Sequence, residues 1–305
     1  MSGATIHLDH GRLLWPAVVV HGGAGTYERV TSNESDLSLR LAASVGEAVD
    51  AGWRAVSGPD CDPLMAVVAA VTCLEHDGGF NAGRGSVPTT AGTVEMDAGV
   101  MDDRGRAGGV ACVSRHSAVR TARAVLALGG PVLLAGPRAD DFAEAQGVPV
   151  LEPLHTDRGG TADPSPLEGL ASPEGTVGAV AVTADGRFAA ATSTGGRAGQ
   201  IPGRVGDTPV PGAGYWAEQG CAVSATGAGE AFLLAGFGRL VGGWHSAGDP
   251  LPGALSSALR AVAGYGGDGG GIALGLDGAW AAAFNTRAMA RGLRHAGGRA
   301  TTILG

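Results

Sequence analysis

Between Leu151 and Glu174 the hydrophobic periodicity of this chain disappears, and at Thr176 it resumes abruptly. The intervening residues are mostly Pro, Gly, Ser, Thr and Asp, the composition of an exposed linker that cannot bury enough apolar surface to fold by itself. Any fold must therefore be built from the segments on either side. The first residue of the second segment is a threonine preceded by a glycine.

Periodicity assigns the elements. Ala17 to Val20 is a β-branched run ending in His21-Gly22-Gly23-Ala24-Gly25, read as a buried strand entering a glycine-rich turn. Ser35 is placed to cap a helix whose apolar positions Leu37, Leu41, Val45, Val49, Trp53 and Val56 keep helical spacing. Asp62-Pro63 opens a second helix through Leu74, with cap and first-turn proline in their favoured places. Thr93 to Met101 and Gly109 to Val113 flank Asp102-Asp103-Arg104-Gly105 as a hairpin. A helix over Ser117 to Leu128, a strand at Val132 to Ala135 and a helix near Asp140 to Gln146 follow.

In the second segment, Thr176 to Thr183 and Arg187 to Thr194 read as strands around the Asp185-Gly186 turn. Ala222 to Ala225 is a further strand, leading into a helix from Glu230 to Val241. A helix near Ala254 to Val262 precedes a second Asp-Gly hairpin, Ile272 to Leu276 and Ala279 to Phe284. Hairpins with helices before and after imply an α+β chain of stacked antiparallel sheets covered by helices, not a βαβ series.

Charge and composition narrow the partners. A formal charge of −8 without any Lys/Arg run gives no footprint for nucleic acid or an anionic membrane. The expected ligand is a small molecule or a dipeptide. Leu13 to Val20 is too short to span a bilayer and makes a poor signal peptide, and the four scattered cysteines form no C-x-x-C pair, so a reduced, cytoplasmic compartment is expected. His21 lacks a G-x-S-x-G elbow and is read as structural, and Gly266 to Gly271 lacks the lysine of a phosphate loop.

On residue type alone Thr176 is a β-branched residue opening a strand, Thr194 a strand residue and Thr226 a helix-opening residue. Arg204 and Asp207 read as a solvated ion pair. A second chemistry is open to Thr176. A threonine hydroxyl is a weak nucleophile until a base removes its proton, and a threonine at a chain terminus carries its own base, an α-amine of pKa about 7.7 to 8.0. That chemistry requires a cut between Gly175 and Thr176.

HGGAG at His21, FNAGRGS at Phe80, EMDAGVMD at Glu95, GTVGAVAV at Gly175, AAATSTGG at Ala189, PGRVGDTPVPGAG at Pro202 and ATGAGE at Ala225 occur in this order. In that order they closely resemble the plant-type L-asparaginase and isoaspartyl peptidase family of N-terminal nucleophile hydrolases. The resemblance implies a four-layer αββα sandwich, a single domain over residues 1–305, and autocleavage between Gly175 and Thr176. The products are an α subunit, 1–175, whose linker occupies about 151–174, and a β subunit, 176–305. The implied reaction is hydrolysis of the β-amide of L-asparagine and of β-aspartyl dipeptides through an acyl-enzyme.

Carried over by the same resemblance, Thr176 is the nucleophile and Thr194 the second threonine that hydrogen-bonds near it. Arg204 holds the substrate α-carboxylate and Asp207 its α-amine. Thr226 and Gly227 stabilise the oxyanion, Gly229 makes a further substrate contact, and Asn81 lines the pocket. No cofactor is implied for catalysis. The loop from Leu74 to Arg84 resembles a structural sodium loop, with backbone carbonyls of Leu74, Glu75, Asp77, Phe80, Ala82 and Arg84 as ligands, although Gly78-Gly79 departs from the usual pattern. Two αβ units are expected to associate as a dimer of heterodimers. Arg197 to Ile201 and Ala228 depart from the family pattern near the expected pocket. A glycosylasparaginase, or an unprocessed family member without activity, would carry much the same residues.

Overall fold

The computed structural model describes residues 5–25, 36–152 and 175–302. The expected cap Ser35 and most of the linker lie outside these residues.

The first segment contributes strands β1 (His7–Arg12) and β2 (Ala17–Gly25), then helices α1 (Asp36–Val56) and α2 (Pro63–Asp77). Next come β3 (Met96–Asp102), β4 (Ala107–Val113), α3 (Ala118–Leu128), β5 (Leu133–Ala135) and α4 (Pro137–Ala145). After the linker come β6 (Val177–Val182), β7 (Phe188–Thr194), β8 (Tyr215–Glu218), β9 (Cys221–Gly227), α5 (Gly229–Ala235), α6 (Phe237–Ser246) and α7 (Leu251–Gly264). Strands β10 (Gly269–Gly275), β11 (Ala279–Phe284), β12 (Ala288–His295) and β13 (Gly298–Thr302) complete the described chain.

Local chemistry explains most boundaries. The Asp62 carboxylate accepts the Leu64 N–H at 2.9 Å and Pro63 opens α2, while Gly78, at φ 80°, ends it in the left-handed region. The helix expected from Glu230 to Val241 is two helices. Gly236, at φ 64° and ψ 44°, breaks it, because glycine enters this region without a Cβ clash. The His21–Gly25 run is not a turn. It continues β2, paired with β12 through a register shift at Ala290/Arg291, and its glycines mark a bulge and a close backbone approach.

Two sheets result. One has the order β13-β12-β2-β6-β7-β3-β4-β5, and the other β1-β11-β10-β9-β8. All pairings between these strands are antiparallel except β4 with β5. Period-two alternation sends successive side chains of each strand to opposite faces, and here both faces are apolar. Val18 and Val20 of β2 join Val177 and Ala179 in a cluster with Val45, Val49, Val67 and Val71 of α1 and α2. Val19, Val180 and Phe188 face the other way and meet Tyr215, Ile272 and Leu274 of the second sheet. The outer face of that sheet, with Val223, Ala273 and Ala281, is covered by Phe237, Leu255 and Leu259 of α6 and α7. The chain is thus mixed α+β, with two sheets and flanking helices. Among the described residues no helix is long and apolar enough to cross a membrane.

Candidate active site

Thr176 is the residue immediately before β6, and Thr194 is the last of β7. Their strands pair with Val177 opposite Ser193, so one further step of antiparallel register sets Thr176 against Thr194. Thr194 is in turn opposite Asp97 of β3. From the second sheet, β9 delivers Thr226 and Gly227 to the same end of the structure, and the Thr226 hydroxyl accepts the Ala24 N–H at 3.1 Å. Sheet stacking therefore brings together residues far apart in sequence.

They surround a cavity of about 420 Å³ whose walls include Gly175, Thr176, Thr194, Arg204, Asp207, Gly227 and Gly229. Arg197, Ala198 and Ala228, where the sequence departs from the family pattern, border it as well. Thr226 and Asn81 do not. Thr226 is fully buried behind Gly227. Asn81 donates to the Gly196 carbonyl at 2.7 Å and accepts the Val87 N–H at 3.3 Å, which fixes the backbone just after Thr194.

Arg204 and Asp207 are not a solvated pair. Asp207 is 2% exposed, and the Arg204 side chain is 14% exposed. Arg204 Nε donates to Glu230 at 2.9 Å and Nη1 to Gln200 at 3.4 Å, but its buried Nη2 has no partner. Asp207 Oδ2 is also buried without a partner. Both groups converge on Gly229, where a Cβ would stand 2.7 Å from Arg204 Nη2 and 3.0 Å from Asp207 Oδ1. Buried polar groups are nearly always paired, so an unpaired cationic donor and an unpaired anionic acceptor on one wall point to a ligand bearing the opposite pair.

Burial pushes the Asp207 carboxyl up to about 7, against the nearby Arg204, and the neighbouring Asp97 and Glu230 push it the same way. Asp97, almost fully buried, is likewise pushed up to about 7 by burial, while its hydrogen bond from the Cys112 N–H and the Arg204 charge oppose the rise. Two carboxyls that titrate near neutrality thus flank one guanidinium.

The Thr176 hydroxyl lies 3.4 Å from that of Thr208, while Thr194 Oγ1 accepts the Gly196 N–H at 3.2 Å. Thr208, 1% exposed, is a neighbour of Thr176 that the sequence reading missed, since a threonine after Asp207 carries no signal of its own. His21 is fully buried, its Nε2 2.8 Å from Ser224 Oγ, and burial lowers its pKa to about 3. It is therefore neutral, and its hydrogen bond to the Thr176 backbone makes it a support behind that residue.

The Leu74 to Arg84 loop runs from the end of α2 into a single 3₁₀ turn at Gly83–Gly85. A Cβ at Gly83 would stand 2.3 Å from the Glu75 carbonyl oxygen, and one at Gly85 would stand 2.1 Å from that of Phe80. These approaches leave no room for a side chain at either glycine and gather carbonyl oxygens, the hard donors that cations such as sodium take. Two of the six expected carbonyls, those of Phe80 and Ala82, already accept N–H groups from Ala82 and Gly85. The described residues hold no cluster of three His, Cys, Asp or Glu side chains suited to a metal.

Comparison with known proteins agrees with this architecture. A family model described as asparaginase matches residues 14–162 and 156–304. A plant-type L-asparaginase of Pyrobaculum calidifontis is 40% identical over 294 residues, covering 90% of this chain and 95% of that protein. An isoaspartyl peptidase/L-asparaginase of Danio rerio is 40% identical over 288 residues, 90% of each chain. An isoaspartyl peptidase of Salmonella typhimurium is 36% identical over 316 residues, covering 93% of this chain and 97% of that protein. With the family model spanning nearly the whole sequence and relatives at this identity along almost their full length, the chain belongs to the asparaginase family.

Proposed function

We propose that this enzyme cuts itself between Gly175 and Thr176 and then hydrolyses the β-amide of L-asparagine and the β-peptide bond of β-aspartyl dipeptides. The observation that carries the reading is the unpaired, buried Arg204 Nη2 and Asp207 Oδ2 on the wall of the cavity that holds Thr176. A free amino-acid head group supplies the matching carboxylate and ammonium, and the planar guanidinium is suited to the former. With the head group held there, a β-carbonyl points to Thr176.

In the self-cut, the Thr176 hydroxyl attacks the Gly175 carbonyl carbon. The peptide C–N bond breaks, the Thr176 nitrogen takes the proton, and water hydrolyses the resulting ester. The new Thr176 α-amine then acts as base for its own hydroxyl, which adds to the substrate β-carbonyl. The oxyanion is assigned to the Thr226-Gly227 pair: Gly227 borders the cavity, and the Thr226 hydroxyl, buried behind it and accepting the Ala24 N–H, takes part by turning its proton toward the cavity. Loss of one such donor typically costs about 10² to 10³ in rate. The amine leaves protonated, and water releases aspartate from the acyl-enzyme.

The same reading carries the four-layer αββα sandwich of the N-terminal nucleophile hydrolases, supported by the three apolar clusters between helices and sheets. It also carries a sodium ion held by the Leu74 to Arg84 carbonyls and a dimer of αβ heterodimers. Thermal unfolding in sodium against choline buffers tests the ion, and light scattering tests the dimer. Intact mass with N-terminal sequencing tests the self-cut. A second chain beginning at Thr176 is expected, and a single full-length chain after long incubation refutes it. Thr176→Ala is expected to abolish both cleavage and hydrolysis. Faster turnover of a glycosylated asparagine than of β-aspartyl dipeptides refutes the substrate assignment.

A further inference from the structure

The cavity that holds Thr176, Arg204 and Asp207 is bordered by another cation. Arg287 sits in the turn between β11 and β12, exposed to solvent, and borders the same cavity as Thr176. Its backbone is held from both sides. Asn285 accepts the Gly269 N–H through its side chain at 2.8 Å and donates its own N–H to the Gly269 carbonyl at 2.9 Å. The Thr286 hydroxyl donates to the Ala288 carbonyl at 3.0 Å, and Ala288 pairs with Gly25, itself a cavity residue. The arginine thus projects from a fixed turn.

The other cations at this site are accounted for, Arg204 Nη2 by the head-group carboxylate assigned to it above and the remaining charge by Glu230. Arg204 donates to Glu230, and Arg197 lies 3.8 Å from the same carboxylate. Arg287 forms no ion pair or hydrogen bond among the described residues. Asp268 borders the cavity from the loop before β10 and forms no ion pair with it. Among the described residues nothing neutralises this charge on the cavity wall.

We infer that Arg287 receives the α-carboxylate of the leaving amino acid, so that the site is built for β-aspartyl dipeptides with a free C-terminus. This rests on the reading of the preceding subsection. With the aspartyl head group held by Arg204 and Asp207 and the β-carbonyl at Thr176, the leaving nitrogen points away from the head group into the rest of the cavity, which Arg287 borders. In L-asparagine that nitrogen departs as ammonia and presents nothing to Arg287. In a β-aspartyl dipeptide it carries a second residue whose carboxylate lies one carbon beyond. The cavity volume falls within the range of roughly 300 to 1,000 Å³ usual for small-molecule sites, which leaves room for that second residue.

The experiment compares kcat/KM for β-aspartyl-leucine with that for its C-terminal amide, with L-asparagine as reference, in the wild type, Arg287→Gln and Arg287→Lys. The wild type is expected to favour the free acid, and added salt to reduce the preference, since the charge is exposed. Arg287→Gln is expected to lower the acid-to-amide ratio about threefold to tenfold, the range of an exposed to half-exposed charge contact, and Arg287→Lys to retain most of it. A ratio unmoved by Arg287→Gln, or an equal loss for acid and amide, overturns the inference while leaving the assignment of Thr176, Arg204 and Asp207 intact. Failure of the wild type to turn over any of the three substrates overturns that assignment, and this inference with it.

Discussion

Gly23 and Gly175 lie so close that a Cβ on either would stand 2.9 Å from the other's Cα. Gly23 also holds φ at 109°, a conformation that side-chain-bearing residues rarely adopt. The bulge of β2 thus sets the position of the proposed scissile bond. Gly23→Ala adds a methyl against Gly175 and about 1 to 3 kcal/mol of backbone strain, displacing the Gly175 carbonyl from Thr176 Oγ1. Self-cleavage is expected to slow at least tenfold, followed by denaturing gel or intact mass over time. Cleavage at the wild-type rate would show that this contact does not position the bond.

Arg204 and Asp207 are set up as a divided charge pair around Gly229, not bonded to each other. Removing one partner from a buried charged contact costs about 2 to 5 kcal/mol. Arg204→Lys, which keeps the charge but loses the fork, and Asp207→Ala are each expected to lower kcat/KM for L-asparagine about 10²-fold or more, mostly through KM. Steady-state kinetics on fully processed protein checks this, and a loss below threefold in either variant removes that residue from head-group binding.

Gly229 bears on the same pair from another direction. A side chain there must occupy the space on which both charges converge. Gly229→Ala is expected to fold, because its neighbours on that side are cavity walls, and to raise KM for L-asparagine at least tenfold with little change in melting temperature. A variant with wild-type KM would show that the head group binds elsewhere.

Much of this site is legible in the chain, and the part that is not has physical reasons. Asp62-Pro63, Asp185-Gly186 and Asp277-Gly278 announce their helix start and turns because capping and positive φ are local requirements; Asp277 and Gly278 have φ of 55° and 74°. Strand β1 is silent because all its residues are exposed and alternate nothing, and its partner β11 is far along the chain. Strands β12 and β13 extend one edge of the other sheet on partners the sequence does not name. The motif order points to Thr176, Arg204 and Asp207, but Thr208, Asp97 and Arg287 acquire meaning only when loops and two sheets meet. Asn81 has the same cause in reverse. Its motif brings it near the site, and its hydrogen bonds turn it to the backbone behind Thr194.

The two raised carboxyls give the reaction a pH signature. An α-ammonium needs Asp207 ionised, and kcat/KM reports the free enzyme. With Asp207 pushed up to about 7, kcat/KM for L-asparagine is expected to rise with pH through about 7. The Thr176 amine also loses its proton in this range, so Asp97→Asn separates the two. It removes a like charge that raises Asp207, and the acid limb is expected to move to lower pH, whereas a limb set by the amine alone would stay in place. Stability runs the other way. Both folded carboxyls lie above the usual aspartate value of about 3.9, so the folded state holds more protons between about pH 4 and 7 and loses stability as pH rises through that window. Asp97→Asn is therefore expected to gain melting temperature relative to the wild type from pH 5 to pH 8.

Glu75 shows how the site is anchored from below. It is fully buried, and its carboxylate accepts the Ser117 hydroxyl at 2.5 Å, the Val119 N–H at 2.9 Å and the Ser193 hydroxyl at 2.6 Å. Ser117 caps α3 and Ser193 precedes Thr194, so one side chain ties α2, α3 and β7 together behind the cavity. Glu75→Ala would leave three buried donors without an acceptor as well as a void. At about 1 to 3 kcal/mol for each unsatisfied group, softened by rotation of the two hydroxyls, the loss is about 3 to 5 kcal/mol. At about 2 to 4 °C per kcal/mol for a chain of comparable size, the melting temperature is expected to fall about 10 °C. Burial raises the Glu75 pKa and makes its charged form costly. Glu75→Gln removes the charge, keeps an oxygen for the Val119 N–H, and offers its amide to hydroxyls that can accept as well as donate. It is expected to cost less than about 1.5 kcal/mol. Thermal unfolding of the two variants checks the pair, and equal losses would show that Glu75 acts by filling space rather than by collecting these donors.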